Sequence, residues 1–245
     1  DKDIRALGLE QVRTATKGPS ATQQFAAELP KLPGEAQVAL LSALADRGDA
    51  AARPAIIDLL ATRPDEPVTR AALAALGFLG EPADAAVLLH WLRDGAPAVQ
   101  EAARASLVRL PGDAVSALLG AELDQAPAAL QVILLEVLTA RRALNTLPQL
   151  LPLAVAADAS VRGAAMAALG QLAGPEHIPG LLQGVLAAEP GRERETAEKA
   201  VLSVCSRIAD ANRRAEPVLA AMQELSDAQR LNVLPALGRV GGPAA

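Results

Sequence analysis

Leu44, Leu76, Leu107, Leu138, Leu169, Cys205 and Leu237 recur at separations of 32, 31, 31, 31, 36 and 32 residues. A near-constant period of that size restricts the chain to stacked repeats, each a small supersecondary unit that buries its apolar face only against its neighbours. The local pattern is helical. Val68, Ala71, Ala72, Leu76 and Leu79 fall on one face of a 3.6-residue helix, and Val161, Ala164, Ala165, Leu169 and Leu172 repeat the same set.

With this ruler each unit resolves into a first helix (A), a tight turn, a second helix (B) carrying the ruler residue, and an exit that often contains glycine. B helices are expected near residues 35–46, 67–79, 98–110, 128–141, 160–173, 194–208 and 227–240, and A helices near 20–29, 53–62, 83–93, 113–124, 146–156, 176–188 and 212–225. The repeats are then 19–49, 50–81, 82–112, 113–143, 144–174, 175–210 and 211–242, preceded by a partial repeat over 1–18 in which Val12 holds the ruler slot. Gly48, Gly80, Gly112, Gly174 and Gly242 stand where helices end and positive φ is expected. The array is expected to be one solenoid and a segment of a longer polypeptide.

Prolines and one insertion refine this. Pro54, Pro82, Pro97 and Pro127 lie near helix starts, where the missing N–H is harmless, whereas Pro152 and Pro235 lie within helical patterns and predict local bends. The 36-residue interval contains EPGRERE, Glu189 to Glu195. It reads as 4 to 5 residues added to a solvated inter-helix turn, with a partner contact as the alternative.

Composition narrows the class of function. Two Phe, one Trp and no Tyr leave burial to Ala, Leu and Val, which suits close helix packing. A net charge of −5 argues against a general polyanion binder, so no nucleic-acid partner is expected. One cysteine forms no internal disulfide and leaves the compartment undetermined. No stretch reaches the ~18 uninterrupted apolar residues of a membrane span.

The run DASVRGAAMAALGQLAGPEHIPGLL, Asp158 to Leu182, resembles HEAT repeats of the short type named after phycobilisome lyases. The resemblance implies an all-α, right-handed α-α superhelix of about seven helix pairs. It also assigns Asp158 and Arg162 to the pair that commonly links neighbouring turns in such repeats, with Leu169, Gly170, Ile178, Pro179, Leu181 and Leu182 in the apolar and turn slots. Thr69 and Gln100 replace that Arg in other repeats, so a continuous ladder is not expected. AEKAVLSVCSRIAD and LPKLPGEAQVALLSALADRGDAA look like arrays of large bacterial multidomain proteins, some of which also carry a sugar-processing jelly-roll module.

Catalytic, cofactor and metal sites are not expected. His90 and His177 are 87 residues apart, and no close-spaced ligand set for zinc exists. Cys205 stands in a slot that is otherwise Leu, which favours an inert packing residue over a nucleophile. His90 and Trp91 suggest a stacking site, but Leu88, Leu89 and Leu92 already form the apolar stripe of their helix, which favours a shielding role.

The surface left for function is the B-helix face. The residues 2, 5, 6 and 9 places after each B-helix start, counted from Val68 in the second full repeat, are expected to point away from the core, and position 5 on this count reads Leu41, Leu73, Arg104, Leu135, Met166, Leu202 and Leu234. These residues either pack between adjacent B helices or line an apolar groove for a partner. Candidate partner-binding residues are Arg70, Leu73, Glu101, Arg104, Leu135, Glu136, Met166, Lys199, Leu202 and Leu234. The expected role is a non-catalytic scaffold or spacer, its partners proteins or flanking domains of the same polypeptide. The alternative is an accessory domain of a sugar-processing or chromophore-lyase-like enzyme.

Overall fold

The computed structural model describes residues 2–15 and 18–241, and these are helices and turns with no strand. Gly242 and Pro243, expected in the last exit turn, lie outside the described residues. The chain forms two compact units, residues 1–115 and 116–245.

In the first unit the B layer is α1 (Lys2–Thr14), α3 (Gly34–Arg47), α5 (Glu66–Leu79) and α7 (Pro97–Arg109), each packed on the next. The A layer is α2 (Pro19–Ala26), α4 (Arg53–Ala61) and α6 (Ala85–Asp94). In the second unit α9 (Ala128–Ala140), α11 (Ala159–Leu172), α13 (Arg192–Ser206) and α15 (Asp227–Val240) stack in the same way. Its A helices are α8 (Asp113–Glu122), most of which lies in this unit, the short α10 (Leu147–Leu150), α12 (Ile178–Ala187) and α14 (Glu216–Met222).

The ruler marks the core. Leu44, Leu76, Leu107, Leu138, Leu169 and Cys205 are all 0% exposed, and Leu237 is 6% exposed. Ala72, Ala103, Ala165 and Ala200 fill the space between helices, small enough for axes to approach closely.

Local chemistry sets the ends. Asp65, Asp158 and Ser226 cap α5, α11 and α15 by accepting backbone N–H groups. Gly48 and Gly112 adopt φ of 72° and 96°, but Gly80 and Gly174 are extended, contrary to the expectation of positive φ. At Gly80 the requirement is room, because a Cβ would fall onto the backbone carbonyl of Leu76 and against Leu110 Cδ1. Pro152 breaks its A helix into α10 and a 3₁₀ segment, Leu151–Val155, whereas Pro235 sits inside α15.

The insertion is only partly a loop. Every other ruler residue from Leu44 onward is the eleventh residue of its B helix, whereas Cys205 is the fourteenth of α13. Most of the added length therefore enters the helix, where three extra residues extend the N-terminus of α13, and the α12–α13 turn is only residues 188–191.

Candidate functional site

A repeated side-chain bond ties six of the B helices, α3, α5, α7, α9, α11 and α15, to the segment before them; in α13 the third residue, Arg194, makes the corresponding bond to Ala188 O. In the six, the fourth residue donates to a carbonyl at or just beyond the end of the preceding A helix: Gln37 Nε2 to Leu29 O at 2.9 Å, Thr69 Oγ1 to Pro64 O at 3.0 Å, and Gln100 Nε2 to Arg93 O at 3.4 Å. In the second unit Gln131 reaches Leu123 O at 2.7 Å, Arg162 reaches Ala156 O and Ala157 O at 3.0 and 2.9 Å, and Arg230 reaches Met222 O at 3.0 Å. These carbonyls lie at helix ends, where the regular ladder stops; Leu29 O and Met222 O also accept the N–H groups of Leu32 and Leu225, and the side-chain donor adds a bond at each. Arg, Gln and Thr are interchangeable there because the slot requires a donor.

Arg162 alone in this slot also pairs with a carboxylate of the next repeat. Its Nε and Nη2 donate to Glu193 Oε1 and Oε2 at 2.8 and 3.1 Å. The Arg162 guanidinium holds the Glu193 carboxyl below its ordinary range, and the Glu189 N–H adds to this. Asp158 does not touch the next repeat; it accepts the N–H groups of Ser160 and Val161, which lower its pKa. The acidic partner thus comes from the inserted run.

With the helices fixed, the solvent face of α5 is Arg70, Ala74 and Phe78, and that of α7 is Glu101, Ala105 and Arg109. In α5, Leu73 and Gly77 at positions 5 and 9 are buried, and Gly77 faces Ser106 of α7. Leu41, Leu73 and Leu135 are 0% exposed and Met166 is 2% exposed, so no apolar groove runs along position 5. A stacked helix buries its flanks as well as its core face, which makes the buried arc wider than one amphipathic stripe.

Of the candidate residues, Arg70, Glu101, Glu136 and Lys199 are exposed, Arg104 and Leu202 are half-buried, and Leu234 is exposed. Leu73, Leu135 and Met166 are packing residues. Arg104 donates through Nε and Nη2 to Glu101, which lowers the Glu101 carboxyl pKa. The face also carries a pair that the candidate set lacks: Phe78 is 62% exposed, and the Arg109 guanidinium lies 4.8 Å from its ring centre. An aromatic on a face of small residues was the available sequence signal.

The remaining chemistry-bearing residues are engaged locally. Cys205 is buried and its thiol is pushed up to about 11 by desolvation, the reverse of an activated nucleophile. His177 Nδ1 accepts the Gly174 N–H at 3.1 Å, at the same place in its repeat where Asp84 accepts the Glu81 N–H. His90 Nδ1 lies 2.9 Å from Asp94 Oδ2, one helical turn away. Among the described residues no group of three or more His, Cys, Asp or Glu is placed to hold a metal, and no helix is long and apolar enough to cross a membrane.

Paired helices at a constant period, stacked B on B, define an all-α repeat protein. The family model described as HEAT repeats matches residues 23–108, and that segment of the chain is similar to HEAT repeats. The run Asp158 to Leu182 lies outside the matched segment. No curated protein matches the chain. Among solved structures, the complex of CpcE and CpcF of phycocyanin lyase from Nostoc sp. is 21% identical, with 93% of this chain and 96% of that chain covered at a TM-score of 0.44. Human deoxyhypusine hydroxylase in complex with glycerol is 19% identical, covering 98% and 91% at 0.40. An engineered protein is 18% identical, covering 97% and 96% at 0.31.

Proposed function

We propose that the chain is a non-catalytic interaction module whose B-helix face in the first unit binds a segment of another protein or of its own polypeptide. The carrying observation is the exposed Phe78–Arg109 pair. Aromatic and arginine side chains are enriched among residues that dominate binding energy, and folding gains little from leaving a phenyl ring 62% exposed. Arg70, 53% exposed with only a 4.0 Å approach to Glu66, extends the same surface on α5.

Two further points support this reading. HEAT repeats usually mediate protein interactions. Cys205, His90 and His177, the residues most suited to chemistry, have structural roles in packing, helix-surface pairing and turn capping.

The test places a photo-crosslinking side chain at position 78 and, as a control, at the exposed Ala114 of α8, then compares partners in cells that produce the protein. A discrete adduct from position 78 that disappears in Arg109→Glu supports the module. Equal labelling from both positions, or substrate turnover by the purified chain, overturns it.

A further inference from the structure

A second surface, on the A helices of the first unit, has the features of a small-ligand site. Ile57, Leu60 and Ala61 of α4, together with Ala86, Val87 and Trp91 of α6, form the apolar wall of a cavity of about 390 Å³ whose polar lining is Arg63 and His90. That size is at the lower end of ligand pockets, ~300–1,000 Å³, and suits a single short chain. Trp91 is the only tryptophan in the protein.

Charge selects the ligand. Arg63 is exposed and has no side-chain partner among the described residues. The nearby acids do not line the cavity: Asp94 is paired with His90, and Asp58 lines the adjoining groove with Ala55 and Leu59. An apolar cavity with one unpaired guanidinium complements an aliphatic chain ending in an anion.

The backbone gives an independent indication. Arg63 lies just beyond the C-cap of α4, Thr62, with φ of 51°, in the left-handed region that glycine occupies at Gly48 directly after α3. A side chain there is strained, so glycine would favour the fold. An arginine kept at such a position is explained by what its head group does, although Arg142 shows that the conformation recurs once elsewhere.

We propose that this cavity binds a small aliphatic carboxylate, with the chain against Trp91 and Leu60 and the carboxylate on Arg63. The site is independent of the B-helix surface, so either assignment survives failure of the other.

Octanoate titrated into the intact protein while Trp91 fluorescence is followed reads this cavity directly. Saturation is expected in the roughly millimolar range, with octanol at least about 5-fold weaker. Arg63→Gln is expected to remove that preference while leaving octanol binding unchanged. Arg63→Gly is expected to do the same and to raise the unfolding midpoint by about 2 °C, which a structural role for the arginine would not produce. The assignment is overturned by equal binding of octanoate and octanol, by an anion preference that survives Arg63→Gln, or by a response only to peptides with a C-terminal leucine.

Discussion

Ser106 of α7 donates its hydroxyl to Leu73 O of α5 at 2.8 Å, and its Cα lies where a Cβ on Gly77 would come within 2.9 Å. In the second unit the same glycine slot is again a close approach, through different partners: Ser203 of α13 donates to Gly170 O of α11 at 2.8 Å, and a Cβ on Gly170 would meet Ala200 Cα at 3.0 Å. The glycine after the ruler residue thus allows the next B helix to approach. Gly77→Ala should destabilise by about 1–3 kcal/mol despite alanine's better helix propensity, because backbone must move. Gly163→Ala, in open space on α11, should stabilise by about 0.5–1 kcal/mol. Urea unfolding of both variants checks the pair; stabilisation by Gly77→Ala would show that the close approach is not required.

Arg162 and Glu193 link consecutive repeats, with side chains only 11% and 19% exposed. Glu193→Gln should cost about 1–2 kcal/mol. Arg162→Gln should cost a similar amount, since glutamine retains donation to the A-helix carbonyl as at positions 37 and 131. A double-mutant cycle should then show strong coupling. The pH dependence has a definite sign: the Glu193 carboxyl is depressed in the folded state, so its contribution is present above the ordinary glutamate value of 4.5 and is lost as pH falls through the lower folded value. Loss of this acid-side slope in Arg162→Gln, followed by urea midpoint against pH, checks the assignment.

The periodic ruler made the helix order and core legible, because burial of one face recurs at the repeat period and leaves its mark on every unit. The second buried flank was not legible. Leu73 and Arg104 share a slot, one buried and one half-exposed, and whether that slot meets solvent depends on how far the next helix leans over it. The fourth-residue donor was hidden for another reason: Arg, Gln and Thr share no shape or charge, only an N–H or O–H at the right reach. The insertion misled because EPGRERE is polar like a loop, yet Arg192 to Glu195 form the first turn of α13. Phe78 was visible as an isolated aromatic, but its exposure depended on the phase of α5.

Cys205 gives a test of the core. Its thiol is fully buried and pushed up to about 11 from 9.0. Native protein should react with an aromatic disulfide at least about 100-fold more slowly than unfolded chain, because attack requires an exposed thiolate. The unfolded thiol ionises first as pH rises, so stability should be intact below pH 9 and fall between about 9 and 11, by roughly 2–3 kcal/mol in all. Cys205→Ala should remove that alkaline slope while leaving a small cavity. Rapid stoichiometric labelling at neutral pH would contradict a packing role.

Asp84 is the most deeply buried carboxylate of the first unit, 2% exposed, and it accepts Arg53 Nε and Nη2 at 2.6 and 2.7 Å together with the Glu81 N–H at 2.8 Å. The hydrogen bond to Asp84 raises the Arg53 pKa, so the guanidinium remains charged throughout the accessible range. Removing the cation leaves a desolvated carboxylate with one backbone donor, whereas removing the acid leaves an arginine whose side chain is 23% exposed and can reach water. The two truncations should therefore be unequal. Arg53→Met is expected to cost about 3 kcal/mol and Asp84→Asn about 1–2 kcal/mol, since asparagine still accepts from Glu81 N–H. Because Arg53 begins α4 and Asp84 precedes α6, the loss should raise amide exchange first at these two helix starts. Equal costs, or exchange rising uniformly across the unit, would place the stabilisation elsewhere than in the pair.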